Sequence, residues 1–234
     1  MQSSQSTAPL VSLQAVTKTY SDGNVQALRG VSLDIQHGEF MSIVGPSGCG
    51  KSTLLNMLGA LDRPTSGDVF FEGESLATTG GRRTAKELDR LRCEKIGFVF
   101  QSFYLLPNLT ALENVQLPMF EGPLSVADRV DRARDLLGQV GLSERLDHLP
   151  NQLSIGQRQR VAIARSLANA PQMVLADEPT GSLDSQSGQE VMDLLVSLNS
   201  AHQTTLVIVT HDQDVAKRAQ RCITMLDGAI VSDQ

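Results

Sequence analysis

The chain has 234 residues, 41% of them hydrophobic, which is enough to bury a core as one large domain or two close lobes. No run approaches the roughly eighteen consecutive apolar residues of a membrane span, and the three cysteines show no paired metal-ligand spacing, which points to a reducing, cytosolic compartment. The formal net charge of −6 provides no general attraction to phosphate backbones, so we expect no nucleic acid partner.

The first part of the chain predicts a tail followed by a small sheet. Residues 1–9 are polar and lack both a basic region and an apolar run, so they are interpreted as a flexible tail and not as a secretory signal. Short alternating strands over residues 11–35, with a turn at Asp22-Gly23, indicate a small antiparallel sheet. A helix is then predicted over 53–61, with Leu58 and Leu61 among its inward-facing residues.

Nearly continuous apolar runs predict strands at residues 41–44, 96–100, 173–176 and 206–210. Because helical spacing alternates with these runs, they indicate a mostly parallel sheet covered by helices. Helical spacing dominates between 112 and 170, which predicts a helical subdomain over about 102–165 within a single domain of 10–234. Near the end, Asp227-Gly228 separates two short apolar runs, 223–226 and 229–231, and predicts a tight hairpin. The predicted fold class is α/β, with a small N-terminal antiparallel β subdomain.

Residues 45–52 match the P-loop pattern, between the predicted strand 41–44 and the predicted helix 53–61. Glycines allow the backbone to fold around phosphates, and the helix N-terminus adds about half a positive charge. Lys51 is predicted to neutralise the β- and γ-phosphates and Ser52 to hold Mg²⁺. Cys49 is interpreted either as a thiol covered by the nucleotide or as an inert space-filling side chain. The predicted nucleotide-binding residues here are Gly45, Pro46, Ser47, Gly48, Cys49, Gly50, Lys51, Ser52 and Thr53.

Two acids end the predicted strand 173–176. Asp177 and Glu178 are therefore expected at the carboxyl edge of the sheet, where such folds bind their ligands. Asp177 is predicted to reach Mg²⁺, and Glu178 to orient or deprotonate the attacking water. Together with the P-loop, this pair predicts a Mg²⁺-dependent NTPase with a RecA-like core.

A third motif resembles the signature of the ATP-binding-cassette (ABC) ATPases, which normally reads Leu-Ser-Gly-Gly-Gln. Ser154 and Gln157 also have the spacing of a capping box, so they can complete a helix N-terminus. The resemblance implies that this helix end contacts the ATP held by a second subunit. Ile155 departs from the family pattern; we expect it to cost little if the backbone there is already helical. The matching residues are Leu153, Ser154, Ile155, Gly156 and Gln157.

Further features of the family follow in order along the chain. By resemblance, Tyr20 is the aromatic residue that stacks on adenine, Gln101 senses Mg²⁺ and the attacking water, and His211 contacts the γ-phosphate. Lys51 and Glu178 complete the implied catalytic set. Taken singly, these residues could also be an edge-strand aromatic, a strand-end polar group and a turn residue, and the acid of the next loop a helix N-cap. The implied loop across the dimer interface consists of Ser182, Leu183 and Asp184.

The resemblance implies an ATP-hydrolysing, Mg²⁺-dependent subunit that pairs with a second copy in the ATP-bound state. It also implies an integral membrane permease as partner, and a place on the cytoplasmic face of the cell membrane. Stretches at 25–33, 58–67 and 109–115 are similar to the lipoprotein-release and macrolide-export subgroup. A cell-division ATPase of the same superfamily, or a non-transport ABC ATPase, remains the alternative. Residues 103–107 are interpreted either as a permease contact or as part of the helical core.

Overall fold

The computed structural model describes residues 8–21, 25–76 and 84–234. These ranges contain strands and helices that alternate through most of the chain. The strands are β1 (Val11–Tyr20), β2 (Val25–Ile35), β3 (Phe40–Val44), β4 (Ser66–Phe71), β5 (Glu74–Ser75), β6 (Ile96–Phe100), β7 (Met173–Asp177), β8 (Thr205–Val209), β9 (Arg221–Leu226) and β10 (Ala229–Asp233). The α-helices are α1 (Lys51–Leu58), α2 (Ala85–Lys95), α3 (Ala111–Gln116), α4 (Val126–Gln139), α5 (Ile155–Ser166), α6 (Ser185–His202) and α7 (Gln213–Ala216).

The main sheet has the strand order β10-β9-β3-β8-β7-β6. The pairings from β9 to β6 are parallel, and only the pairing of β10 with β9 is antiparallel. The four buried strands predicted from continuous apolar runs are all present, with ends that differ by one residue or less. The mostly parallel core sheet predicted from the sequence is therefore confirmed.

Both faces are covered along the central strands of this sheet, which explains why β3, β6, β7 and β8 are mostly apolar. Along β7, Met173 and Leu175 belong to one apolar cluster, which also includes α1 and the small sheet. Val174 and Ala176 point to the opposite cluster, where α3, α4, α5 and α6 pack. Because successive side chains of a strand alternate between faces, a strand buried on both sides is apolar at nearly every position. The buried Ser42 of β3 is accommodated because its hydroxyl donates to the Ala216 carbonyl at 3.2 Å.

The predicted N-terminal antiparallel sheet is present, with the order β2-β1-β4-β5. The predicted turn at Asp22-Gly23 and most of the predicted tail lie outside the described residues. At the other end, Asp227 (φ 47°) and Gly228 (φ 82°) join β9 to β10 with two consecutive left-handed residues. That is the geometry expected for the predicted two-residue hairpin.

One prediction about helix α1 is wrong. The helix ends at Leu58 instead of reaching residue 61, and Leu61 is 45% exposed instead of facing inward. At Gly59 the chain passes so close to the sheet that a Cβ would lie 2.6 Å from the Phe98 ring. The chain then turns away through Ala60, whose φ is 52°.

The mid-chain segment is helical, as predicted. Helices α3, α4 and α5 share one apolar cluster with α6 and one face of the main sheet. The division into a helical lobe of about 102–165 inserted in one domain of 10–234 stays a prediction.

Candidate nucleotide site

The candidate site lies at one edge of the main sheet because four parallel strands end there. The P-loop follows β3, Gln101 follows β6, Asp177 ends β7, and His211 comes two residues after the end of β8. The carboxyl ends of parallel strands meet at the same edge. The topology therefore brings together side chains that lie up to 166 positions apart between Gly45 and His211.

The P-loop backbone has a shape that requires glycine at particular positions. Gly45 and Gly50 have φ angles of 152° and 104°. A Cβ at Gly45 would lie 2.3 Å from the Met225 carbonyl oxygen, and one at Gly50 would lie 2.4 Å from the Ala27 carbonyl oxygen. Both positions therefore exclude a side chain, and the strand β9 and the small sheet hold the loop from outside.

Lys51 folds back over the P-loop. Its Nζ donates to the Gly45 carbonyl at 2.7 Å and to the Pro46 carbonyl at 3.0 Å, and the side chain is nearly buried. The ammonium group is thus fixed over the loop, next to the N-terminus of α1. Cys49 is also buried and belongs to the apolar cluster under the loop. Its position favours the space-filling interpretation of that thiol.

Ser52 and Asp177 place two oxygen atoms side by side. The Ser52 hydroxyl donates to Asp177 Oδ1 at 3.5 Å, a long hydrogen bond. Burial raises the pKa of Asp177 above its ordinary value; the nearby Glu178 charge adds to this, while the Ser52 hydrogen bond and Lys51 oppose it. A cation beside Asp177 would therefore be favoured, since it would offset the cost of a buried carboxylate. In the described ranges, no group of three or more His, Cys, Asp and Glu side chains could hold a metal.

Mg²⁺ fits this pair of residues. It is a hard cation that binds proteins through one or two oxygen ligands and completes its shell with water and phosphate oxygens. A hydroxyl and a partly buried carboxylate at the mouth of the P-loop are such ligands. Mg²⁺ dependence itself stays a prediction.

Glu178 is held in a fixed position by its backbone and by His211. Its φ of 47° is left-handed, its amide donates to the Val209 carbonyl at 2.9 Å, and its carbonyl accepts from the Gly181 amide at 3.0 Å. Its carboxylate Oε1 lies 2.8 Å from Nδ1 of His211, whose ring is largely exposed. A strained backbone of this kind is common where a side chain must be aimed precisely.

Gln101 and the loop after Glu178 are in contact. A Cβ at Gly181 would lie 2.9 Å from the Gln101 side-chain amide nitrogen, and the Ser182 hydroxyl donates to the Gln101 carbonyl at 3.3 Å. Leu183 packs against the helical cluster. Asp184 caps α6 by accepting from the Ser187 amide and hydroxyl, and these bonds lower the pKa of its carboxyl. The N-cap interpretation of Asp184 is therefore correct, while its place in a dimer interface stays a prediction.

Tyr20 lies at the end of β1 and is held by two residues that sequence reasoning missed. Its hydroxyl donates to Asp62 Oδ2 at 3.0 Å, and the Lys18 ammonium lies 4.9 Å from the ring centre. Burial alone would raise the pKa of Asp62, but hydrogen bonds from Lys18, the Arg63 amide and Tyr20 outweigh it and lower the pKa. These contacts fix the position of the aromatic ring. The role of Tyr20 in stacking on adenine stays a prediction.

The signature segment forms the N-terminus of α5 with the predicted capping box. Ser154 is the N-cap; its hydroxyl accepts from the Gln157 amide at 3.2 Å, and Gln157 Oε1 accepts from the Ser154 amide at 2.9 Å. Ile155 is the first helical residue and is 45% exposed, while Leu153 is buried. This helix end opens on a groove of about 260 Å³ lined also by Gly156 and residues of α6.

Residues 103–107 divide between the two interpretations. Leu105 packs against the helical cluster, whereas Tyr104 is 65% and Leu106 is 47% exposed. Phe103 and Tyr104 both have left-handed φ angles, of 59° and 46°. Their carbonyls each accept from the Arg165 guanidinium of α5 at 2.6 Å, a contact that the sequence did not predict. The exposed residues of this loop are therefore held in place from the signature helix.

The sheet topology, the P-loop and the acids at the end of β7 define a P-loop NTPase. A family model described as ABC transporter matches residues 28–181. The chain therefore belongs to the ABC transporter family, as a nucleotide-binding ATPase cassette.

Three relatives illustrate this membership. The chain is 50% identical over 228 residues to the macrolide export ATP-binding/permease protein MacB of Nitrosomonas europaea, a match that covers 96% of this chain and 34% of that protein. It is 51% identical over 223 residues to an uncharacterized ABC transporter ATP-binding protein of Thermotoga maritima, covering 94% and 93%. A solved dimer of the ATP-binding cassette MJ0796, in a post-hydrolysis state bound to ADP and Pi, is 47% identical and superposes with a TM-score of 0.87, covering 96% and 97%.

The chain thus spans about a third of the length of the MacB relatives. Within the described ranges, no helix is both long enough and apolar enough to cross a membrane.

Proposed function

We propose that this chain binds and hydrolyses Mg-ATP to drive a membrane permease, by closure and opening of a pair of ATPase subunits. The observation that carries the hydrolytic part is the Glu178 carboxylate, held by His211 at 2.8 Å at the same sheet edge as the P-loop. A base in this position can accept the proton of a water that attacks the γ-phosphate.

ATP binding rests on the P-loop and on Lys51. The loop amides and the start of α1 favour negative charge, and the ammonium already lies over the loop carbonyls. In this proposal Lys51 exchanges these carbonyls for phosphate oxygens, while Tyr20 stacks on the adenine. Ser52 and Asp177 hold Mg²⁺, with Gln101 beside them; when bound, the ion supplies positive charge that offsets the charge of the phosphates.

Dimer closure rests on the signature helix. Ser154, Gly156 and Gln157 lie at a capped helix N-terminus that opens on a groove, so a γ-phosphate held by a second copy would meet donors there. ATP between two subunits stabilises the closed pair by mass action, about 2.7 kcal/mol per site at a hundredfold excess over its dissociation constant. The dimeric state of the related cassette bound to ADP and Pi supports this arrangement.

The identity of the partner is supported by the names of the relatives. MacB is described as an ATP-binding/permease protein for macrolide export, and this chain matches a third of it. The Thermotoga relative, which the chain matches almost end to end, is described as an ATP-binding protein alone. In line with these names, we propose a permease of the lipoprotein-release or macrolide-export type as the partner, with the ATPase cassette bound at the cytoplasmic face of the membrane. Tyr104 and Leu106 are the proposed contacts for the permease.

Replacing Ile155 with glycine tests how the signature works. Because Ile155 already has helical backbone at the first position of α5, no left-handed conformation is required there. We expect Ile155→Gly, measured by phosphate release, to hydrolyse ATP at the wild-type rate or faster. Ile155→Ala is the matched control, since it shortens the side chain without adding backbone freedom. A clear loss of ATPase activity in the glycine variant alone would contradict this description of the position.

The permease proposal is tested by affinity purification of tagged Glu178→Gln protein with ATP from detergent-solubilised membranes of the native host. We expect mass spectrometry to identify a permease with few membrane helices and a large outer domain. Leu106→Ser is the matched variant, and we expect it to recover much less of that permease. Recovery of soluble or nucleic-acid-associated partners alone would overturn the transport proposal and leave the ATPase chemistry standing.

A further inference from the structure

Gln159 is a buried polar residue of the signature helix that none of the motifs explains. It lies five residues after the N-cap Ser154 and is completely inaccessible to solvent. Its Nε2 donates to the carbonyl oxygen of Pro179 at 2.7 Å. Its Oε1 is buried and has no hydrogen-bond partner in the part of the chain that the structure describes.

The partner of Gln159 is the residue immediately after Glu178. The segment 178–181 leaves β7 through the left-handed Glu178 and is closed by the hydrogen bond from the Gly181 amide to the Glu178 carbonyl. Pro179 has no amide hydrogen with which to anchor itself. Its carbonyl is anchored by Gln159 across twenty positions of the chain. The helix that begins at Ser154 is therefore joined directly to the backbone that aims Glu178.

Stability alone does not account for an amide at this position. Burying a side-chain amide with only one half bonded leaves a desolvated acceptor without compensation, which lowers stability. An apolar residue of similar length would fill the same space without an unbonded Oε1, and would lose only the donor to the Pro179 carbonyl. A half-satisfied buried amide is instead understandable if its one hydrogen bond is needed for function.

We propose that Gln159 is a positioning residue for ATP hydrolysis. It keeps the Glu178–Pro179 backbone in register with the signature helix of the same subunit. When the Ser154 end of α5 meets the nucleotide of a second subunit, the hydrogen bond from Gln159 to Pro179 transmits that contact to the Glu178 carboxylate. The two sites of a pair are then coupled within each subunit. This inference rests on the proposed function.

The test is Gln159→Met, which keeps the length of the side chain and removes both halves of the amide. We expect kcat for ATP hydrolysis to fall about five- to tenfold, as for loss of a hydrogen bond that aims a catalytic group. KM is expected to stay unchanged, and the unfolding midpoint to stay close to that of the wild type, because loss of the unbonded Oε1 offsets loss of the donor to the Pro179 carbonyl. Amide hydrogen exchange should increase in the segment 177–184 and stay unchanged in β6 and β8. Gln159→Leu, which lacks the amide but has a different shape, is the second variant.

The matched control is Ser166→Ala. Ser166 is a buried polar residue of the same helix, but its hydroxyl donates to the Ile163 carbonyl within that helix at 2.7 Å. It is expected to keep the wild-type kcat. Wild-type turnover in Gln159→Met, or failure of both Gln159 variants to fold, would overturn the inference. Wild-type protein run in the same assay distinguishes failure of this inference from failure of the proposed function. If the wild-type protein did not hydrolyse ATP, the proposed function itself would be overturned.

Discussion

Glu178→Gln is expected to bind ATP with wild-type affinity and to hydrolyse it about 10²–10⁴ times more slowly, the usual contribution of a general base. Glutamine has the same size and can keep a hydrogen bond to His211, but it cannot accept the proton of the attacking water. The P-loop and Lys51 are untouched by the change, so binding should survive. Turnover is measured as phosphate release, and binding as the shift of the unfolding midpoint with ATP.

The same variant should accumulate as a pair of subunits when ATP is present. If hydrolysis opens the pair, blocking hydrolysis keeps it closed, so size-exclusion chromatography with ATP should show a dimer. The matched control is Glu94→Gln, an exposed carboxylate on α2 that pairs with Arg90 and lies just before the start of β6, at the opposite end of that strand from Gln101. It should keep both the wild-type turnover and the wild-type elution. Unchanged turnover in Glu178→Gln would remove this residue from the mechanism.

The fold was predictable wherever the spacing of apolar residues along a short segment indicated which of them are buried. Strands covered on both faces are apolar at nearly every position, so β3, β6, β7 and β8 were recognisable without any knowledge of their neighbours. The hairpin at Asp227-Gly228 was predictable because two consecutive left-handed residues strongly favour this pair. The end of α1 had a local signal that the apolar spacing outweighed in the prediction, because Gly59 directly follows Leu58 as its C-cap. What the sequence could not show is the close approach of Gly59 to the Phe98 ring, since Phe98 is distant in the sequence.

The candidate site was also predictable where its residues follow a local pattern, and not where they are held by long-range contacts. The P-loop, Asp177 and Glu178 follow strands whose order places them at one edge, and the capping box of Ser154 was readable from spacing alone. The residues that hold these groups were not found. Gln159 and Arg165 act through long-range hydrogen bonds to backbone carbonyls. Because every residue has a backbone carbonyl, the sequence does not indicate which carbonyl accepts such a bond. The pairing of Tyr20 with Asp62 is hidden likewise, because it joins β1 to the turn after α1.

Lys51→Met is expected to abolish the stabilisation of the protein by ATP. At a hundredfold excess over the wild-type dissociation constant, ATP should stabilise the wild-type protein by about 2.7 kcal/mol. In a domain of this size that raises the unfolding midpoint by roughly 5–10 °C. The variant loses the cation that would face the phosphates, so its midpoint should not change with ATP, and its ATPase activity should be undetectable.

The difference between midpoints with and without ATP is the informative quantity here, not the midpoint alone. Lys51 bonds to the carbonyls of Gly45 and Pro46, so the variant is also expected to change the stability measured in the absence of ATP. Lys217→Met is the matched control, because Lys217 is an exposed lysine whose ammonium pairs with Asp214 on its own helix, and its ATP shift should equal that of the wild type. A full ATP shift in Lys51→Met would mean that the loop amides and the start of α1 bind the phosphates alone. Lys51 would then act on the transition state, and the loss should appear in kcat and not in affinity.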